Sequence, residues 1–311
     1  MNAHLAHLAA LVVLAPACDR IVELHTSQGD AAAAPDAVAA DAAPDVIPAS
    51  CAVPLPCPLP TAGKLTICGA IHDLETDAPL ASPGDGAACH ASDGGPCALR
   101  VTFYDALEYA TGPTTAVPKR PGALLVDTCG RFRATDLPEA SFGFIAVEVD
   151  DPVGGADALI PTFISTSNED GQRGVAHRAY RTRRTSAATW TAAAGLATPL
   201  AQSGVLAMGF RYHGVPRAGV RPRRSSAATV LDALYFADGG ATRTTIGLGA
   251  TATGPDGTAL VTAAGPSPDN YDGLGAEPAG CSWPPRLAAR IPGVVMVDAR
   301  DPVRPDGTPC P

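Results

Sequence analysis

Apolar and polar positions alternate in short runs along residues 63–150, where β-branched and aromatic residues are separated by segments rich in Gly, Pro and Asp. Runs of this kind, bounded by turn-forming residues, predict strands of an antiparallel sheet and not an alternation of helices and strands. The predicted strands cover residues 64–72, 99–104, 123–126, 131–134 and 143–149. The pattern therefore predicts a β-sandwich domain over residues 63–160.

The second half of the chain repeats this texture less clearly. A strand pattern over residues 204–210 is followed by a turn at 213–214. An Asp-Gly turn pair at 256–257 precedes the apolar run 258–261. These features predict a second, degenerate β-sandwich over residues 201–311. The predicted fold class is all-β, with two antiparallel β-sandwich domains.

Composition separates the rest of the chain into a tether and a connector. Residues 31–50 are mostly Ala, Asp and Pro, a mixture that cannot bury enough surface to fold, so residues 18–62 are predicted to be a disordered tether. The connector between the two domains is residues 161–200. Within it, residues 185–196 hold several Ala, one Trp and few helix breakers, which predicts a short helix.

The N-terminal residues 8–17 form an apolar run that is too short to cross a bilayer as a helix and has the length of a signal-peptide core. The run ends in Ala-Pro-Ala-Cys at 15–18, which resembles the signal of bacterial lipoproteins, where cleavage precedes a lipidated Cys. The resemblance implies a signal peptide over residues 1–17 and an acyl anchor, such as palmitate, on Cys18. The alternative is ordinary cleavage at the same bond, which leaves a secreted protein.

Cysteine parity agrees with an exported chain, because eight of the nine Cys remain when Cys18 is set aside. An even set in an oxidising compartment predicts up to four disulfides. Cys281 and Cys310 are alone in the second half and are predicted to pair, while Cys89 and Cys97 could close a loop. The sequence contains no C-x-x-C or C-x-x-H spacing, so no zinc site is predicted. The candidates for disulfides are Cys51, Cys57, Cys68, Cys89, Cys97, Cys129, Cys281 and Cys310.

Residues 67–76, 127–133 and 136–138 resemble the pattern of the carboxypeptidase regulatory-like domain, in which a strand, a Gly-containing turn and a Leu-Pro corner follow one another. The resemblance implies a transthyretin-like (prealbumin-like or Ig-like) sandwich that performs no catalysis itself. Cys129 departs from the family pattern, and a cross-link to Cys68 on the first strand is expected to accompany it.

Charge is distributed unevenly along the chain. The 22 Lys and Arg against 31 Asp and Glu give a net charge of −9, which excludes a generally basic nucleic-acid binder. Residues 171–231 contain no Asp or Glu and ten Arg, so the rest of the chain carries −19. Eight of these Arg are a candidate site for anionic polysaccharide or lipid head groups. The alternative is that the strip docks on the acidic first domain or is solvated. The eight are Arg178, Arg181, Arg183, Arg184, Arg217, Arg221, Arg223 and Arg224.

Catalytic motifs are absent from the sequence: there is no G-x-S-x-G, H-E-x-x-H, P-loop or dinucleotide fingerprint. His72, Asp73 and Glu75 lie near one another in sequence, but neighbouring residues on a strand face opposite ways and cannot simply converge. The prediction is therefore that the protein is not an enzyme and binds no cofactor.

One enzyme class is a candidate on the resemblance of fold alone. Some iron-dependent ring-cleaving dioxygenases place two Tyr and two His ligands on a prealbumin-like sandwich. The nearby set here is His177, Tyr180, Tyr212 and His213. Tyr212 and His213 are adjacent and point apart on a strand, which favours scattered placement.

Two stretches, residues 168–171 and 269–273, are rich in the oxygen-bearing side chains that calcium prefers as ligands. Neither has EF-hand spacing, and Asn, Asp and Gly are also ordinary turn residues. No metal site is predicted.

These observations predict a non-enzymatic, membrane-anchored lipoprotein of the cell envelope that acts as a structural or binding module. The alternatives are a carbohydrate- or polyanion-binding surface protein and, more distantly, a metal-dependent enzyme. Exposed Trp190 or Trp283 in a groove would favour sugar binding, whereas two buried Trp would favour a purely structural role.

Overall fold

The structure, a computed structural model, describes residues 55–79, 99–122, 124–127, 129–139, 144–150, 159–167, 173–238 and 242–311. The predicted signal peptide, Cys18 and Cys51 lie outside the described residues. The same is true of Cys89, Cys97 and the oxygen-rich stretch 168–171.

The described part of the chain contains seventeen strands, three short α-helices and a 3-10 helix at Ser225–Ala227. The strands of the first half are β1 (Lys64–Asp73), β2 (Arg100–Asp105), β3 (Leu124–Leu125), β4 (Arg131–Pro138), β5 (Phe144–Asp150), β6 (Leu159–Ile160), β7 (Thr162–Ser167) and β8 (Arg173–Arg183). Those of the second half are β9 (Val205–Tyr212), β10 (Val215–Pro216), β11 (Arg221–Arg224), β12 (Thr229–Val230), β13 (Ala233–Tyr235), β14 (Thr258–Val261), β15 (Asp269–Leu274), β16 (Arg286–Ala288) and β17 (Val295–Arg300). The helices are α1 (Ala106–Thr111), α2 (Arg184–Ala193) and α3 (Leu200–Ser203).

The strands form three sheets. The first sheet has the order β4-β1-β8-β6, and the third has the order β12-β11-β15-β16. The largest sheet is a central one of nine strands, with the order β13-β14-β9-β17-β7-β5-β2-β3 and with β10 paired to β9. The all-β prediction is confirmed.

Successive side chains on a strand point to opposite faces of the sheet, and both faces of the central sheet are buried. On β9, Val205 and Ala207 belong to a cluster that includes residues of β1, β4 and α2. Leu206 and Met208, on the opposite face, belong to a second cluster with residues of β15 and β16. The first and third sheets therefore pack against opposite faces of the central sheet.

The predicted antiparallel pairing needs a correction, since the sheets are mixed. The pairs β1–β8, β17–β7 and β17–β9 are parallel. Parallel neighbours cannot be joined by a hairpin, and each of these pairs brings together segments far apart in the chain. Local hydrophobic pattern predicts strands and their buried faces but does not specify such distant partners.

The segments predicted as two sandwiches, residues 63–160 and 201–311, share one sheet. Strand β17 lies between β7 and β9, and β5 and β2 follow on the far side of β7. Strands β7 and β8 and helix α2 lie in the predicted connector 161–200, and α2 overlaps the stretch 185–196 where the sequence predicts a helix. The connector is thus part of the core.

The turn before β4 and the start of β4 contain residues 127–133, which resemble the carboxypeptidase regulatory-like pattern. Asp127 accepts hydrogen bonds from the backbone N–H groups of Cys129 and Arg131, at 2.9 and 2.7 Å. Gly130 has φ +70°, a conformation that glycine adopts without steric cost. Phe132 is then directed into the core, where it is buried.

The disulfides correct one predicted pair and match another. Cys281 pairs with Cys310 as predicted, with their Cα atoms 6.3 Å apart. Cys68 pairs with Cys57, not with Cys129, and those Cα atoms are 5.8 Å apart. Cys129 is itself disulfide-bonded. The chain before β1 lies beside β4, where Thr61 donates to the Asp136 carboxylate, and this brings Cys57 next to Cys68.

That pairing also changes the description of the predicted tether. Residues 55–62 are attached to the first sheet through Cys57, and Arg133 donates a hydrogen bond to the Pro56 carbonyl at 3.0 Å. The last part of the predicted tether is therefore attached to the folded part of the chain.

Removing the Cys281–Cys310 bridge is expected to destabilise the protein. The bridge closes a loop with a sequence separation of 29, which corresponds to about 3.5 kcal/mol on the chain-entropy estimate. We expect the double variant Cys281→Ser/Cys310→Ser to lose about 2–4 kcal/mol in unfolding free energy in urea denaturation. A midpoint equal to that of the oxidised wild type would contradict this expectation.

Candidate functional site

A carboxylate surrounded by three guanidinium groups lies where the first sheet meets β9. Both oxygens of Asp77 accept from Nη2 of Arg211, at 2.7 and 2.8 Å, and Oδ1 also accepts from the Tyr180 hydroxyl at 3.0 Å. Arg178 reaches Oδ2 at 3.5 Å, and Arg243 lies 3.9 Å from the same oxygen. This arrangement is called the Asp77 cluster below.

Strands from both halves of the chain position the cluster. Arg178 and Tyr180 alternate on β8, so they face the same way, and Arg211 lies on β9. Asp77 lies in the turn after β1 with φ +57°, and its backbone N–H donates to the Asp73 carbonyl at 2.9 Å. The turn thereby directs a carboxylate back toward the strands.

Arg243 is deeply buried, with 2% of its surface exposed. Its guanidinium donates to the Leu74 carbonyl and to the Thr258 hydroxyl, both at 2.7 Å. Its own carbonyl accepts from the indole N–H of Trp190 at 2.8 Å. Arg243 therefore connects the residue that follows β1 with α2 and β14.

Electrostatics keep the Asp77 carboxylate ionised. Burial alone would raise the pKa of Asp77, but the charges of Arg211 and Arg243 outweigh burial and hold that pKa below its usual value. Burial lowers the pKa of the neighbouring His72, whose Nδ1 lies 2.9 Å from the Asp77 carbonyl oxygen. The cluster therefore carries fixed charges at neutral pH.

Asp256 lies beside Arg243, and its pKa is shifted upward whereas that of Asp77 is shifted downward. The Asp256 carboxylate is 1% exposed and lies 3.7 Å from Nε of Arg243. Oδ1 accepts from the Thr258 N–H at 2.8 Å, while Oδ2 has no hydrogen-bond partner. Burial is the main cause that raises the pKa of Asp256 to about 6.

The raised pKa of Asp256 predicts a contribution to stability that is lost as the pH rises. The carboxyl titrates near 3.8 in the unfolded chain and at about 6 in the folded protein, so folding favours the protonated form. The contribution is complete below about pH 4 and lost as the pH passes through about 6. We expect Asp256→Asn to gain about 1–3 kcal/mol relative to wild type between about pH 4 and pH 7 in urea denaturation. A difference that stays constant over this range would contradict the assignment.

A second ion-pair centre adjoins the Asp77 cluster. Asp73 lies 3.2 Å from Nε of Arg181 and 3.8 Å from Nη2 of Arg183. A shallow depression of about 170 Å³ opens here, with acidic and basic groups on its walls. Its lining residues are Asp73, Glu75, Thr76, Ala78, Pro79, Arg181 and Arg183.

The eight Arg of the candidate polyanion site fall into two groups on different sheets. Those numbered 178–184 lie on β8 and at the start of α2, whereas those numbered 217–224 lie on or just before β11. Five of the eight are in ion pairs with Asp residues that lie outside the acid-free segment. The pairs are Arg178 with Asp77, Arg181 and Arg183 with Asp73, Arg223 with Asp272, and Arg224 with Asp269.

The remaining three Arg have different surroundings. Arg217 lies over the ring of Tyr212, 5.4 Å from its centroid. Arg184 and Arg221 are exposed. The acid-free segment thus finds most of its counter-charges within the protein.

The four candidate iron ligands do not converge as a set, although Tyr212 and His213, expected to point apart, have ring centroids 4.2 Å apart because His213 lies in the turn after β9. His177 and Tyr180 face opposite ways on β8: His177 is buried near Phe132, and Tyr180 belongs to the Asp77 cluster. Burial lowers the pKa of His177 to about 4. Tyr212 donates to the carbonyl of Pro311, and the adjacent His213 is exposed in the turn after β9.

The other acidic candidates are likewise separated. His72 faces the Asp77 carbonyl, whereas Asp73 faces Arg181, as expected for neighbours on a strand. Asp269 and Asp272 lie on β15 in ion pairs with Arg residues of β11. Within the part of the chain that the structure describes, no three His, Cys, Asp or Glu side chains are grouped as metal ligands.

Both Trp side chains are buried. Trp190 is 1% exposed and packs edge-on against Phe236, with ring centroids 5.5 Å apart. Trp283 is 2% exposed and packs against Phe210 at 5.2 Å. Neither ring is accessible for stacking on a sugar, so the Trp positions favour the structural role.

Two further buried pairs lie at the central sheet. The Tyr109 hydroxyl donates to the Glu148 carboxylate, and burial raises the pKa of both groups. Arg300 is ion-paired with Asp298 and donates to the Tyr271 carbonyl at 2.5 Å. Here too, interior polar groups bind one another.

The sequence did not single out Asp77, Arg243 or Asp256 as site residues. Arg211 was noted only as one of the ten Arg of the acid-free segment. One signal was present: Arg211 follows the apolar run 204–210, and an Arg at the end of a buried strand needs a partner.

No protein-family profile matches the chain, and no curated protein sequence matches it. Among solved structures, the chain is similar to the Bacillus anthracis TIE protein, at 11% identity over 77% of this chain and 34% of that protein, with a TM-score of 0.20. The chain thus spans about a third of that protein. It is also similar to the shaft pilin SpaA from Lactobacillus rhamnosus GG, at 12% identity over 76% and 98% of the two chains, with a TM-score of 0.21. The major pilin T-13 from Streptococcus pyogenes gives 9% identity over 78% and 97%, with a TM-score of 0.18.

Proposed function

We propose that the protein is a non-enzymatic structural or binding module of the bacterial cell envelope, anchored to a membrane through acylated Cys18. The observation that carries the proposal is that the charged side chains gathered at the Asp77 cluster bind one another. Asp77 receives donors from Arg211 and Tyr180 and lies close to two further guanidinium groups. A carboxylate engaged in this way stabilises the fold and is not poised to accept a proton from a substrate.

Disulfides support an exported location for the module. Cys57–Cys68 and Cys281–Cys310 are bonded, and Cys129 is also in a disulfide. Such bonds persist in oxidising compartments and are rare in the cytosol. In the part of the chain that the structure describes, no helix is both long and apolar enough to cross a membrane.

We also propose that residues 63–160 form a domain of the carboxypeptidase regulatory-like type. Gly130 at positive φ and the buried Phe132 and Leu137 support it, because these are the turn and core positions of the pattern. Such a domain would serve folding or recognition, not catalysis.

The mass of the mature N-terminus tests the anchor. The full-length chain is expressed in a bacterium that processes lipoproteins, and the N-terminal peptide of the membrane fraction is analysed by mass spectrometry. We expect a peptide that begins at Cys18 and carries acyl chains, and we expect Cys18→Ser to lose membrane retention. A mature chain that begins at Cys18 without lipid would contradict the anchor and leave a secreted protein.

Binding of an anionic polysaccharide or lipid head group is a second candidate function, and the exposure of Arg184 and Arg221 favours it. Its test is sedimentation with anionic vesicles at increasing salt, because binding through surface charges weakens as salt screens them. Binding that does not change with salt, or no binding, would exclude this function.

A further inference from the structure

The Asp77 cluster has the composition of a binding site for a carboxylate. Arg211 contacts both oxygens of Asp77, Tyr180 donates to one of them, and Arg178 and Arg243 approach the other. Arg and Tyr donors around a planar carboxylate are the groups that recognise this anion in proteins generally. The occupant here is a side chain of the same chain.

Positive charge is in excess at this position. Three guanidinium groups face one carboxylate, and the other acid in contact with them is Asp256, which lies 3.7 Å from Arg243 on its far side. With a pKa of about 6, Asp256 is mostly ionised at neutral pH, so the three guanidinium groups face two carboxylates in all and one positive charge remains. Without the carboxylate of Asp77, the donors would form an unfilled anion site.

Most of the donors have contacts besides those to Asp77, and Arg211 donates to the Tyr180 hydroxyl at 2.7 Å. Arg178 and Tyr180 lie on β8, Arg211 lies on β9, and Arg243 is fixed by the Leu74 carbonyl and the Thr258 hydroxyl. Asp77, by contrast, is presented by a turn at φ +57°. The donors are therefore expected to keep their positions when the side chain of residue 77 is removed.

We propose that Tyr180, Arg211 and Arg243, with Arg178 at the mouth, form a carboxylate-binding site whose resident ligand is Asp77. The site binds a small external monocarboxylate when residue 77 carries no carboxylate. In the wild type, the tethered Asp77 has a high effective concentration and excludes dilute external anions. This inference does not depend on the envelope role proposed above, and either one can fail without the other.

The test is thermal unfolding of Asp77→Gly in sodium acetate and in sodium chloride of equal ionic strength at neutral pH. Glycine removes the carboxylate and accepts the positive φ, so the backbone of the turn is kept. Acetate at about five times its dissociation constant is expected to raise the Tm of this variant by about 3 °C over chloride. The wild type is expected to respond equally to the two salts.

Two matched variants separate site binding from general salt effects. Asp77→Asn keeps an isosteric amide between the donors and is expected to show no acetate effect. Asp136→Gly removes an exposed carboxylate that also has a positive φ, 52°, but accepts from Thr61 and not from guanidinium groups. It too is expected to show none.

Equal Tm values for Asp77→Gly in the two salts would overturn the proposal, and so would an acetate effect of the same size in Asp136→Gly. If Asp77→Gly does not fold in chloride, the measured quantity becomes recovery of its near-UV circular dichroism as acetate is added. Recovery supports the site, and no recovery at any acetate concentration overturns it.

Discussion

Replacing Arg243 by Ala is expected to lower the unfolding free energy by about 3–5 kcal/mol. The change removes the guanidinium that bonds to the Leu74 carbonyl and the Thr258 hydroxyl, and it leaves these acceptors buried without a donor. It also withdraws the positive charge between Asp77 and Asp256. Urea denaturation at neutral pH measures the loss.

The control for this variant is Arg184→Ala. Arg184 is exposed at the start of α2, and its replacement is expected to change the unfolding free energy by less than about 0.5 kcal/mol. A loss below about 1 kcal/mol for Arg243→Ala would mean that the buried guanidinium does not hold these segments together.

Gly69→Ala is the second variant with a large expected effect. A Cβ at this position would lie 2.1 Å from the carbonyl oxygen of His177 and 2.8 Å from the ring of Phe132. Residue 69 is paired with His177 in the parallel β1–β8 ladder, so the two strands would have to separate. We expect a loss of about 3 kcal/mol or more in urea denaturation, because overpacking forces backbone shifts.

Gly209→Ala is its matched control on β9. A Cβ there would meet nothing closer than the Ala299 Cβ at 3.7 Å, an ordinary contact. The expected change is within about 1 kcal/mol, since a strand interior accepts Ala as readily as Gly. Equal losses for the two glycine variants would contradict the steric explanation.

The strands could be predicted from the sequence because their signal is local. Alternation of apolar residues located β1, β2, β4 and β5 to within a few residues, and the turn formers marked their ends. The pairing of Cys281 with Cys310 followed from their isolation in the second half of the chain. These features depend on neighbours in sequence.

The central sheet could not be predicted in the same way. Residues of β17 pair in parallel with β7 and β9, and an apolar run carries no information about which distant strand it will join. The partner of Cys68 could not be predicted either, because several cysteines were available and only the path of the chain before β1 selects Cys57.

The Asp77 cluster was missed for a related reason. Asp77 lies in a Thr-Asp-Ala-Pro stretch that looks like an ordinary turn, and Arg243 lies between Thr residues in a loop segment. Their partners come from β8 and β9, and no spacing along the chain connects them. The excess of Arg over acids in residues 171–231 includes Arg178 and Arg211 of the cluster. The alternative that this strip docks on the acidic first domain agrees with the ion pairs to Asp73 and Asp77, whereas the surface-patch interpretation did not anticipate them.

One central sheet and the Asp77 cluster join both halves of the chain into a single cooperative body. Trp190 lies in the first buried cluster and Trp283 in the second, and they are the two Trp of the chain. The single-Trp variants Trp190→Phe and Trp283→Phe therefore report on one cluster each. In each variant, urea unfolding is followed by Trp fluorescence and by far-UV circular dichroism. We predict coincident midpoints for the two probes in both variants. A fluorescence midpoint that precedes or follows the dichroism midpoint in either variant would contradict the claim and indicate two independently folding domains.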